Sequence, residues 1–235
     1  MLAAFAFLLF SVSVFGQETP TKKNVRPKGP ETTNREKKPR EFVPVYIYEF
    51  VKPEFLVSRV LIEHDENGTG TITFEKRDGE EPITDPLQLS EKTIESLRSL
   101  WDSLNFLNSE TVYQSPERNY AHLGTMRLEM RKDGKDRSVE FNWTDMSEPK
   151  ALTDEYKKIG NQFIWMFDMN VARRNQPLEA PRIMDGLESY LRRDAIADPA
   201  QLIPYLKELE DDERIPLIAR NHASRIIARL EKKKK

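Results

Sequence analysis

The residues with the clearest chemical spacing begin at Asp65. Asp65-x-Asn67-x-Thr69-Gly70-Thr71-Ile72 follows the first eight positions of a calcium loop, including the glycine and the hydrophobic residue after position 7. A working loop needs a bidentate carboxylate at position 12, where this chain has Lys76, and usually a third acidic side chain, where it has Thr69. The flanking segments read as strands, so a hairpin turn without metal is expected. The three histidines, His64, His122 and His222, are far apart and match no zinc spacing. His222 falls on an apolar helical face and reads as a core residue. His122, between Tyr120-Ala121 and Leu123-Gly124, is the candidate general base if an Asp or Glu lies beside it. Arg173 and Arg174, within Asn170 to Gln176, can grip a carboxylate or phosphate in a fork. The competing reading is that they offset a helix dipole and that Asn175 ends the helix in the left-handed conformation. Asp168 and Glu155 make no convincing carboxylate pair. No nucleophile elbow, phosphate-binding loop or dinucleotide fingerprint is present, so no cofactor is expected.

These residues must be placed by a small number of elements. Leu152, Tyr156, Ile159, Phe163 and Phe167 share one helical stripe, with Lys157, Lys158, Asn161 and Gln162 on the other side. From Phe163 onward, Ile164, Trp165, Met169 and Ala172 put apolar groups around most of the circumference. The helix therefore needs cover on both sides: a sheet from the preceding residues and shorter helices after Pro177. Upstream, Phe42 to Phe50 reads as a strand that Pro44 assigns to an edge, and Phe55 to Glu75 as a hairpin. Gly79 to Pro86 reads as a loop. Ser90 then caps a helix with Ile94, Leu97, Trp101 and Leu104 inside, and Leu89 with Ile94 forms a hydrophobic staple. A second hairpin turns at Asp133-Gly134 and alternates Met126, Leu128 and Met130, then Val139, Phe141 and Trp143. Ser147 or Thr144 caps the long helix. After it come Pro181 to Arg193, a helix opened by Asp198-Pro199 and bent at Pro204, and Ile215 to Leu230 with Ile218, His222 or Ala223, Ile226 and Leu230 inward. The expected class is α+β: an antiparallel sheet of two hairpins plus an N-terminal strand, packed on two helices, with a C-terminal helical cap.

Composition sets the surroundings. The 235 residues contain no cysteine, which excludes disulfides, thiolate metal sites and a cysteine nucleophile. Residues 1–16 are uncharged and mostly apolar and end in Val14-Phe15-Gly16, as in a secretory signal, although no Lys or Arg precedes the apolar run. Residues 17–41 hold four prolines and eight Lys/Arg against four Asp/Glu and read as a disordered basic tether. Lys232 to Lys235 form a basic tail. Taking these +8 charges from the chain's −2 leaves about −10 for residues 42–231, an acidic body with basic ends. Within that body, residues 42–176 read as the α+β domain and 177–231 as the helical cap on the long helix. The basic ends can touch anionic polymers. No specific nucleic-acid site is expected, nor is an integral membrane protein.

The order of a hairpin from Val57 to Glu75, Leu89-Ser90 opening a helix that ends Leu104-Asn105-Phe106-Leu107, Tyr113, strands around Asp133-Gly134 and a helix after Pro149 resembles an uncharacterised domain of secreted bacterial proteins, over about residues 55 to 167. The last two helices look like one HEAT-type hairpin. The first likeness implies an extracytoplasmic, bacterial setting and brings no chemistry with it. The functional expectation is a non-enzymatic binding or scaffold module that meets another envelope protein. The alternative is a hydrolase using His122.

Overall fold

A computed structural model describes residues 45–79 and 81–233 of the protein. The signal-like residues 1–16, the tether of 17–41, the expected strand start at Phe42 and the end of the basic tail lie outside the described residues. Six antiparallel strands form one sheet: β1 (Tyr46–Val51), β2 (Val57–His64), β3 (Thr69–Lys76), β4 (Ile83–Gln88), β5 (Thr125–Lys132) and β6 (Lys135–Phe141), in the order β4-β3-β2-β1-β5-β6. Side chains alternate across each strand, and the register places Tyr48 between Ile62 of β2 and Leu128 of β5. These three, with Phe74, face the helical layer. Leu97 and Trp101 of α1 (Glu91–Ser103) and Leu152, Tyr156 and Ile159 of α2 (Ser147–Asn175) close that core. The other sheet face is charged: Glu49 accepts from Arg59 at 2.5 Å and from Arg127 at 2.8 Å. Burial raises the Glu49 carboxyl, and the two guanidiniums outweigh it, holding the group below its ordinary value.

α2 serves two apolar centres. Beyond Ile159 it contributes Trp165 and Met169 to a second cluster with α3 (Ala180–Arg192), α4 (Ile203–Asp211) and α5 (Leu217–Lys233). Trp165 donates to the carbonyl of Ile183 at 2.9 Å. The α+β class with a helical cap is therefore the observed architecture, and among the described residues no helix is long and apolar enough to cross a membrane. Ser90 caps α1 through the Thr93 amide, and Asp198 accepts from the Ala200 amide as the last helices begin.

Several local expectations are corrected. Part of the stretch read as a loop from Gly79 to Pro86 is strand β4, with Pro86 opposite Thr71. Pro86 is tolerated because β4 is an outer strand and need not donate outward. β1, expected at an edge, is central. It starts at Tyr46, beyond Pro44, so the proline restricts nothing within it. The cap of α2 is Met146, without a side-chain bond; Thr144 accepts from the Met146 amide instead. α2 does not end in a left-handed Asn175: the helix runs through it and Pro177 opens a short 3-10 turn. Pro204 sits in the first turn of α4, at the junction with a 3-10 segment, and not in mid-helix. On α5 the inward stripe is Ala219, Ala223 and Ile226, and Ile218 is 65% exposed. Small alanines let α5 approach its neighbours closely, which turns the helix away from the larger side chain. Gln162, placed on the solvent side by periodicity, is buried: its amide donates to Gln201 at 2.9 Å and accepts from the Asp198 amide at 3.1 Å. The cap covers the polar side of the helix, so a glutamine with two partners substitutes for water there.

Candidate functional site

The structure separates the residues picked out by type. His122 lies exposed on a 3-10 turn (Ala121–Leu123), its ring 5.6 Å from that of Tyr120, and no hydrogen bond or ion pair joins its imidazole to an acid among the described residues. What the fold uses is its carbonyl, which accepts from Lys52. Arg173 lies far along α2, where its guanidinium donates to Asp212 at 2.7 Å, comes within 3.7 Å of Glu208 and stacks over Tyr205. The carboxylate in that fork is the protein's own. Hydrogen bonds from Arg214 and then Arg173 hold the Asp212 carboxyl far below its usual range, against the opposing effect of burial. Arg174 is exposed and donates back to the Asn170 carbonyl at 3.1 Å. His222 is not enclosed by the core. It borders it, with Nδ1 3.5 Å from Asp185 and Nε2 3.4 Å from Glu188. The calcium-like stretch is the β2–β3 turn, where Asp65 accepts from the amides of Asn67 and Thr69 at 2.8 and 3.0 Å. Its carboxylate thus caps the turn. Among the described residues no group of acids and histidines is arranged to hold a metal ion.

A different place is concave. A cleft of about 840 Å³ opens between the sheet and one side of α2, within the size range of small-molecule sites. Its floor is the helix-facing side of the sheet, with Tyr48, Phe50, Val60 and Met126; its outer walls come from residues 54–57 and from Leu123 with Trp143. The two outer segments are stitched together by the bond from Lys52 to the carbonyl of His122. Gly124 makes that approach possible: its φ is +89°, and a Cβ there would lie 2.8 Å from the Phe50 ring and from the Val51 carbonyl oxygen.

The inner wall is α2, which presents Lys150, Asp154, Lys157, Gly160 and Ile164 at helical spacing. Gly160 stands out because a mid-helix glycine costs about 1 kcal/mol relative to alanine. No close packing demands it here: a Cβ would meet only Val60 Cγ1, at 3.6 Å. Its effect is to keep the cleft wide. At the rim Phe55 is 50% exposed and Leu56 66%, an apolar pair held in open solvent.

Neither His122 nor Arg173 lines this cleft. Typing residues by catalytic chemistry missed it, since its floor and rim are aromatic and aliphatic and the charged side chains of its α2 wall match no catalytic pattern. The signals that mark it in the sequence are the unbroken run Phe55-Leu56-Val57 after Pro53 and a glycine in the middle of an amphipathic helix. No family model and no curated protein matches the chain, so the likeness over residues 55 to 167 stands on those residues alone.

Proposed function

We propose that the protein is a non-enzymatic binding or scaffold module that works outside the bacterial cytoplasm and meets another envelope protein. The observation that carries this reading is the aromatic cleft with Phe55 and Leu56 exposed on its rim: exposed apolar side chains next to a concavity are a feature of recognition surfaces. The signal-like N-terminus and the lack of cysteine support the compartment. The basic ends add a second, salt-sensitive contact with anionic polymer.

The test is affinity capture from bacterial envelope extracts with the wild type and a Phe55→Ser/Leu56→Ser double variant. Both side chains are exposed, so the variant keeps its fold. A partner held by the wild type and lost from the variant supports the reading. Equal capture by both, or none by either, sinks it.

A further inference from the structure

The cleft changes character along its length. The α2 wall begins with Lys150, Asp154 and Lys157 and continues with Gly160 and Ile164, so one end is polar and the other apolar. The charged side chains that line the cleft, Glu54, Lys150, Asp154 and Lys157, are unevenly paired. Asp154 is paired with Lys157 at 3.1 Å and Glu54 with Lys52 at 3.4 Å, whereas Lys150 has no ion pair among the described residues. A second observation comes from the floor. Tyr48 is 1% exposed, its ring stacked parallel to Tyr156 at 4.9 Å, and its hydroxyl has no hydrogen-bond partner among the described residues. Burial first, and the nearby Asp154 carboxylate second, push this phenol well above its ordinary value, so it is a neutral donor throughout the physiological range. A buried donor without an acceptor is costly, and a ligand oxygen that accepts from it relieves that cost.

We propose that the cleft binds a monoanionic amphiphile, an unbranched long-chain carboxylate, whose tail lies along Phe50, Val60 and Ile164 and whose carboxylate accepts from the Tyr48 hydroxyl and pairs with Lys150. Lys150, without an ion pair of its own, selects the head, and the apolar end accommodates the chain. The inference rests on reading this cleft as a binding site, and it is independent of which protein meets the rim.

The experiment is calorimetric titration of the full chain with dodecanoate, dodecanol, dodecylamine and an apolar peptide. Dodecanoate is expected to bind at one per chain, with dodecanol at least about tenfold weaker and dodecylamine weaker still. Lys150→Met and Tyr48→Phe are each expected to weaken dodecanoate about tenfold. Lys150 is exposed and the Tyr48 hydroxyl has no partner, so both variants keep the fold. Gly160→Trp, checked for helix content by circular dichroism, fills the cleft and abolishes binding. Dodecanol binding as tightly as dodecanoate, unchanged affinity in Lys150→Met, or binding of the peptide alone would overturn the proposal. Failure of every amphiphile alongside a Phe55/Leu56-dependent envelope partner sinks this inference and leaves the binding module standing; loss of both sinks both.

Discussion

The Tyr156 hydroxyl lies 2.9 Å from His64 Nε2 and 3.1 Å from Trp101 Nε1, and it ties the long helix to a strand and to α1 inside the core. The protonation pattern follows from the partners. His64 Nδ1 is 2.8 Å from the Asp65 carbonyl, which only accepts, so Nδ1 carries the hydrogen; Trp101 only donates. Tyr156 therefore accepts from Trp101 and donates to a neutral His64. Replacing Tyr156 with Phe strands both nitrogens in the core, and a loss of about 2 to 4 kcal/mol is expected in urea unfolding. A change below 0.5 kcal/mol would show that the network contributes little.

His64 also makes stability depend on pH. Burial lowers its folded pKa below 6.5, against the smaller raising effects of the Asp65 carbonyl and charge. Between the two pKa values the unfolded chain binds a proton that the folded chain refuses, so stability is complete above pH 6.5 and falls as the pH drops towards the folded value. The slope attributable to this group reaches at most about 1.4 kcal/mol per pH unit. His64→Asn keeps a donor for the Asp65 carbonyl and cannot titrate. Unfolding measured from pH 7.5 to 5 should show a flatter profile for the variant; parallel profiles would refute the assignment.

Gly160→Ala is expected to raise stability by about 0.5 to 1 kcal/mol, because the methyl group meets only Val60 at 3.6 Å and the unfolded chain loses freedom. Thermal unfolding checks this. Destabilisation would mean that the glycine is there for packing and not for the width of the cleft.

Arg173 and Arg174 are neighbours in the chain and should behave differently. Arg173→Met removes a largely buried partner of Asp212, with an expected cost of about 1 to 3 kcal/mol, softened because Arg214 still holds that carboxylate. Arg174→Ala, at an exposed position, should stay within about 0.5 kcal/mol. Equal effects in denaturant titrations would contradict the structural role given to Arg173.

Much of the framework can be read from local pattern. Met126, Leu128 and Met130 alternate as β5 requires, Ser90 sits three residues before the amide it caps, and the widening apolar girth of α2 from Phe163 announces the second cluster. The errors share a cause. Pro86 reads as the end of a loop, but whether a proline breaks a strand depends on what lies beside that strand. Helical phase puts Gln162 outward and Ile218 inward, while the burial of each depends on which neighbour reaches that side of the helix.

By itself the sequence determined the strand alternation of β5, the Ser90 cap, the turns at Asp65 and Asp133, the α+β class and the charge contrast between an acidic body and basic ends, because each depends on residue types and on neighbours a few positions apart. Only the tertiary structure decided that Arg173 is engaged by Asp212, that His122 contributes its carbonyl, and that Tyr48, Gly160 and Phe55 border one cleft. A cleft is space that side chains from distant segments fail to fill, and that failure is settled by packing among them all at once.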